Sequence, residues 1–280
     1  MDDAAVLAVL AHADARASLP QLGGMARPDG IAIVSERAWA FAPVRGGVRV
    51  LPVAAGPAAL RRVPFLRGLV KLAGALRPLF VRGGSTGPRE RLLLLALLLA
   101  PLGLRFLPER LSLVAFAATT VGLLAFVFRG RTLFLHGAEH RAIAAAEARR
   151  LVATWHGRAR PSRFSPRCGT NFAALLAPVT FLLERVWVVP TAPVTPLLVP
   201  LCSLMLTMEL WLAIQSRASS PARVLLGPGL ALQRLTTREP TLAETRVALR
   251  AVAAVLQHDE MRPARFERAT SASAGQRSIP

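Results

Sequence analysis

His136-Gly137-Ala138-Glu139-His140 places two imidazoles four residues apart, with a carboxylate just before the second. On a helix, residues i and i+4 share a face, so both rings point the same way. Zinc hydrolases need that grouping: two neutral nitrogen ligands on one side of a metal and an acid/base carboxylate beside the reacting water. Cys168 and Glu209, further along the chain, supply a thiol and a second carboxylate. The expected site is a zinc ion held by His136, His140, Cys168 and Glu209, with Glu139 free to take a proton from water. A shell containing all four would be closed and structural. A catalytic shell must leave a position for water, which would put Cys168 or Glu209 outside it. Glu209 could instead pair with an arginine, and Cys168 alone could be a small buried apolar residue. His12, His156, His258 and Cys202 read as residues outside the site.

The elements that must position these groups are unusually apolar for so basic a chain. Of 280 residues 53% are hydrophobic, the net charge is +19 and the mean hydropathy is +0.43. That combination points to an integral membrane protein with basic flanks. Nucleic-acid binding is not expected, because Tyr is absent, Lys71 is the one lysine, and the arginines lie between apolar runs. Two cysteines make no disulfide framework, and the acidic start Met1-Asp2-Asp3 gives no cleavable signal peptide.

Four apolar runs, 92–108, 111–128, 169–189 and 194–214, read as spans, with Pro190, Pro193 and Pro196 in a turn between the last two. The expected fold is mainly α: a four-helix transmembrane bundle over 91–215, a small N-terminal α+β cytoplasmic portion and a C-terminal cytoplasmic helix. Arg129, Arg131 and Arg167 at the inner ends make both termini and the 129–167 loop cytoplasmic. His136, His140, Cys168 and Glu209 then converge near the cytoplasmic face of a multi-pass inner (plasma) membrane protein. Glu209 would lie inside a span, where a carboxylate must pair, bind an ion or face water.

Residues 1–21 are expected to be disordered, and 22–63 to be β-rich. There Gly23-Gly24 and Pro28-Asp29-Gly30 read as turns, 31–35, 38–42 and 47–53 as strands, and Arg45-Gly46-Gly47 as a hairpin turn. Residues 64–81 carry Arg67, Lys71 and Arg77 on one face of an apolar helix. This suits an interfacial helix drawn to anionic lipid head groups, and equally a packed amphipathic one. Residues 216–258 form a cytoplasmic helical segment. Within it Thr241-Leu242-Ala243-Glu244 is a capping box opening a helix to about 257. Residues 259–280 are expected to be a disordered tail. Ala117, Ala118, Gly122 and Ala125 would allow close helix packing, including between copies in a homo-oligomer.

Three ordered motifs carry a family resemblance. They are Leu135 to His140, then Ser162-Arg163-Phe164-Ser165-Pro166-Arg167-Cys168-Gly169-Thr170-Asn171-Phe172, then Pro228-Gly229-Leu230-Ala231-Leu232-Gln233-Arg234 through Pro240. Together they resemble the YqhQ family of bacterial multi-pass membrane proteins, over about residues 22–256. The resemblance implies a bacterial inner-membrane location and a metal, and supplies no substrate. Family members usually carry His where this chain has Ser165 and Lys where it has Arg141. Their Gly-Gly-Gln-Ala-Val-Met-Glu-Gly element is reduced here to Gly23-Gly24-Met25-Ala26-Arg27-Pro28-Asp29-Gly30. A lost ligand at Ser165 or a lost acid at Asp29 would weaken metal binding or leave an inactive copy. The functional expectation is a metal-dependent hydrolase at the cytoplasmic membrane face. The alternative is a non-enzymatic membrane scaffold or assembly factor with a structural metal site or none.

Overall fold

The computed structural model of the protein describes residues 1–53, 59–60, 62–80, 86–104, 108–127, 129–187, 195–216 and 221–275. The chain divides into two compact units. The first comprises Met1–Val53, Val121–Arg163 and Glu239–Pro280, and the second Ala54–Thr120 and Phe164–Arg238.

The first unit is a small sheet covered by helices. Its strands β1 (Gly23–Arg27), β2 (Gly30–Val34), β3 (Ala38–Pro43) and β4 (Arg49–Pro52) lie in sequence order, each antiparallel to the next. Pro28-Asp29 closes the β1–β2 hairpin, so Met25 faces Ala32 and Arg27 faces Gly30. Alternation along the strands sorts the side chains by face. Ile31, Ile33, Ala40 and Ala42 join the helices in one large core, while Ala32, Trp39 and Phe41 form a smaller cluster. Helix α5 (Thr132–Glu147) packs on β1 and β2; α10 (Leu242–Gly275) packs on α5, β2 and β3. The capping box predicted at the start of α10 is present: Glu244 N–H donates to Thr241 Oγ1 at 3.3 Å, and Thr241 N–H donates to Glu244 Oε2 at 2.9 Å.

Three expectations for this unit are corrected. Residues 1–21 are not simply disordered: α1 (Asp3–Asp14) forms there and buries Val6, Leu10 and Ala13, a helical i, i+4, i+7 stripe. Asp14 then caps α6 (Leu151–Trp155), accepting from Leu151 N–H at 2.9 Å and Val152 N–H at 3.0 Å. Gly23-Gly24 is strand, not turn, because its backbone pairs with Val34 and Ile33. Helix α10 does not stop near 257 but runs to Gly275, into the segment expected to be disordered.

The second unit contains α2 (Leu66–Phe80), α3 (Pro88–Leu104), α7 (Gly169–Val186), α8 (Thr195–Ser216), a 3-10 turn (Pro221–Leu226) and α9 (Gly227–Thr236). Helix α4 (Glu109–Val127) begins in this unit. Helix α2 packs on α8, and α7 packs on α8 and α9 around Leu175, Ile214 and Leu226.

The four-helix transmembrane bundle is overturned. Among the described residues the protein combines ten helices with a four-stranded antiparallel sheet, and one stretch, Leu198–Gln215 of α8, is long and apolar enough to cross a bilayer. Runs of apolar letters overstate a span when the helix around them takes in charge. Helix α3 includes Arg89, Glu90 and Arg91, α4 opens on Glu109-Arg110, and α7 contains Asn171 and Glu184-Arg185. Glu109-Arg110, expected as a link between spans, opens α4, and of the expected proline turn Pro196 lies in the first turn of α8 while Pro190 and Pro193 lie outside the described residues.

Candidate metal centre

Helix α5 turns Leu135, Ala138 and Ala142 into the core of the first unit, all fully buried. That fixes its rotation and sets His136 and His140 side by side on the neighbouring face, with ring centroids 4.4 Å apart and planes at 63°. The i, i+4 spacing read from the sequence therefore does bring the two imidazoles together.

His140 is 2% exposed, and its Nδ1 lies 2.7 Å from the carbonyl oxygen of Arg163. A carbonyl can only accept, so Nδ1 carries the proton and Nε2 of the neutral ring keeps its lone pair. Nε2 is buried and has no hydrogen-bond partner among the described residues. Leaving a buried polar atom unsatisfied costs about 1–3 kcal/mol, and a metal ion at Nε2 would remove that cost. A backbone carbonyl on one ring nitrogen and an open lone pair on the other is the arrangement of metal-ligating histidines.

Glu139 lies on the adjoining side of α5, beneath strand β1, and is 5% exposed. Burial pushes its carboxyl up to about 7, against the opposing pull of His136 and the Ala26 backbone N–H. Gly24 makes the space: a Cβ built there would stand 2.6 Å from Glu139 Cγ and 2.7 Å from its Oε1. Gly24 thus leaves the room that the Glu139 side chain occupies, a reason for glycine there beyond strand pairing.

Cys168 belongs to the second unit, where it is the N-cap of α7; its Sγ accepts from Thr170 N–H at 3.5 Å and Thr170 Oγ1 at 3.2 Å. The loop before it is tightly anchored. The Gln233 amide clamps the Ser165 backbone at both ends, accepting from its N–H and donating to its carbonyl, each at 2.8 Å. Asn171 Nδ2 also donates to that carbonyl at 2.8 Å, and Gln215 Nε2 donates to the Pro166 carbonyl at 2.7 Å. Two sequence motifs thus meet here, and Gly229 of the later one abuts Asn171, where a Cβ would come within 2.4 Å of the Asn171 Cα. Sequence reasoning quoted these motifs without seeing Gln233 or Asn171 as anchors. The available signal was an amide set among apolar residues near the start of α7 and another within α9.

Glu209 is held otherwise than as a ligand. It accepts from Phe65 N–H and from Arg67 Nε, both at 2.9 Å, tying α8 to the start of α2. Within the first unit, the side-by-side imidazoles of His136 and His140 could ligate a metal ion. Donors of this type are compatible with zinc and do not identify it.

Fold and donor group together define an α+β protein carrying a candidate metal centre. Residues 113–258 match the family described as a protein of unknown function, DUF1385, and since this is more than half of the chain, the protein belongs to that family. The matched stretch holds α5 and the whole of α7, α8 and α9, and so every candidate ligand. No curated protein and no solved structure matches the chain.

Proposed function

We propose that the protein is a metal-dependent hydrolase in which His136, His140 and Cys168 hold a zinc ion and Glu139 is the general base. The observation carrying this reading is the buried, unpartnered Nε2 of His140, with its proton fixed on the opposite nitrogen by Arg163. Chain connectivity adds support for Cys168: it follows the anchored Arg163 by five residues, a short tether. Three ligands leave a coordination position open, as a catalytic site requires. A bound zinc would supply Lewis-acid polarisation and lower the pKa of water. Glu139, desolvated under β1, would accept the proton at its carboxylate and return it to the leaving group.

The non-enzymatic alternative also has an observation behind it. Cys168 Sγ already serves as a helix cap, a role that needs no metal. Metal analysis separates the two readings. Purified wild type should carry near-stoichiometric zinc, and both His140→Ala and Cys168→Ala should lose it. Folded wild type that holds no metal and takes up none would end the hydrolase reading and leave a scaffold. The YqhQ-like reading of the motifs fits the same outcome, since the metal it implies would sit on the same residues.

We further propose that the second unit works against a lipid bilayer. The reading is supported by its outward apolar side chains, Leu92, Leu111 and Val114 among them, and by the Leu198–Gln215 stretch. Flotation with vesicles of mixed neutral and anionic lipid should carry the protein to the top of the gradient. Protein left at the bottom in detergent-free buffer would refute it.

A further inference from the structure

Arg141 and Glu239 lie near the candidate ligands, but neither offers a metal a ligand in the reading above. Arg141 is 6% exposed, and its two ends point in different directions. Nε donates to the Pro161 carbonyl at 3.1 Å, and an Nη donates to Glu239 Oε1 at 2.7 Å. The other Glu239 oxygen lies 3.7 Å from Arg163 Nε. Pro161 is therefore held at its carbonyl by the Arg141 guanidinium, and the Arg163 side chain, two residues on, lies within ion-pair reach of the carboxylate that Arg141 also holds. The Arg163 carbonyl is the one that meets His140 Nδ1.

We propose that Arg141 and Glu239 are positioning residues for the metal centre, holding the Arg163 carbonyl against His140 Nδ1 so that the ring is oriented with Nε2 facing the metal. The proposal rests on the metal-site reading above, and names the support that reading lacks. Loop backbone is a poor anchor unless something fixes it, and a ligand ring is only as well oriented as the group on its far nitrogen. Arginine suits the position because its planar fork can address a carbonyl and a carboxylate at once, which a single ammonium cannot do in the same geometry. With the clamp open, the imidazole would be free to carry its proton on either nitrogen, and ligand alignment would loosen.

The test uses the full chain, with Glu239→Gln as first variant because Glu239 is well exposed, and Arg141→Met as second. In metal-free protein, nitrogen-15 shifts of the His140 ring report which nitrogen is protonated. Wild type should show the proton on Nδ1 alone, and both variants a mixture of tautomers. Zinc affinity, read by competition with a chromophoric chelator, should fall about 10–100-fold in both variants, the range typical for loss of an outer partner. A purely structural role would change the melting point and leave the tautomer and affinity where they were. Should Arg141→Met fail to fold, Glu239→Gln decides alone. An unchanged tautomer in Glu239→Gln overturns the proposal, as does unchanged zinc affinity. Wild type that binds no zinc sinks the metal reading instead, and the tautomer comparison still judges the clamp.

Discussion

From Val247 to Leu256, α10 in the first unit buries every residue except the half-buried Arg250. In the second unit, Leu92 of α3 is 70% exposed, and Leu111 and Val114 of α4 are 58% and 66% exposed. Both stretches are rich in Ala, Leu and Val, and hydropathy ranks the second as the more deeply embedded. The difference lies in partners. Helix α10 has α5 on one side and a sheet on another, so an all-round apolar helix is consumed by its own unit. Among the described residues, these positions of α3 and α4 lie mostly open within their own unit.

The sharpest break of that comparison is a cavity in the first unit. Leu249→Ala removes a fully buried side chain from the α10 core and should destabilise by about 2–5 kcal/mol. Denaturant melts of the full chain would measure it. A loss below about 1 kcal/mol would mean the core is looser than its burial implies.

Next in size, and opposite in sign, is Glu139→Gln. A carboxyl whose folded pKa is raised contributes stability below its unfolded value of 4.5, and that contribution is lost as pH rises through the folded value of about 7. Between those limits the unfolded chain has released its proton and the buried one has not, so stability falls with pH. An amide carries no such charge and can still accept from Ala26 N–H. In chelator-treated protein the variant should match wild type near pH 4 and exceed it by about 3 kcal/mol at pH 8, a 2.5-unit shift at 1.36 kcal/mol per unit. Stability profiles of the two proteins that stay parallel across this range would show that Glu139 is not held in a dry site.

Gly229→Ala tests the second unit where it is well packed. The new Cβ would meet Asn171 backbone, which cannot swing away as a side chain can. Overpacking of this kind costs about 1–3 kcal/mol, and hydrogen exchange at the start of α7 should rise first. Tolerance of Ala at 229 would show that α7 and α9 can slide apart without loss.

The paired imidazoles, the adjacent carboxylate and the α10 capping box were legible in the sequence, because helical spacing alone decides them. So were the cores of β2 and β3, which alternate or run apolar between turn residues. Strand β1 was not, since Gly23-Gly24 looks like a turn until its partner Val34 is known. The hydrogen bond from His140 to Arg163 and the clamp of Gln233 on Ser165 were equally hidden. Each joins residues 23 or more apart through a backbone group, and a backbone group leaves no letter in the sequence. The other three expected spans were overstated because run length hides the charge that the surrounding helix takes in, whereas Leu198–Gln215 keeps the length and apolarity of a span.

The smallest expected effect is also the one that best exposes this failure. Leu111→Gln and Val114→Gln change side chains that lie mostly in the open, on a helix where Gln forms helix well. Surface replacements of this kind usually move stability by no more than about 0.5 kcal/mol. In detergent the double variant should therefore melt with wild type, while its recovery with lipid vesicles should fall, because two apolar contacts have been exchanged for amides. A large loss of stability in detergent would mean that these residues are buried against protein in the working molecule. The contrast between the units would then be one of missing partners, not of solvent. Equal stability with unchanged flotation would leave Leu198–Gln215 to hold the lipid without help from α4.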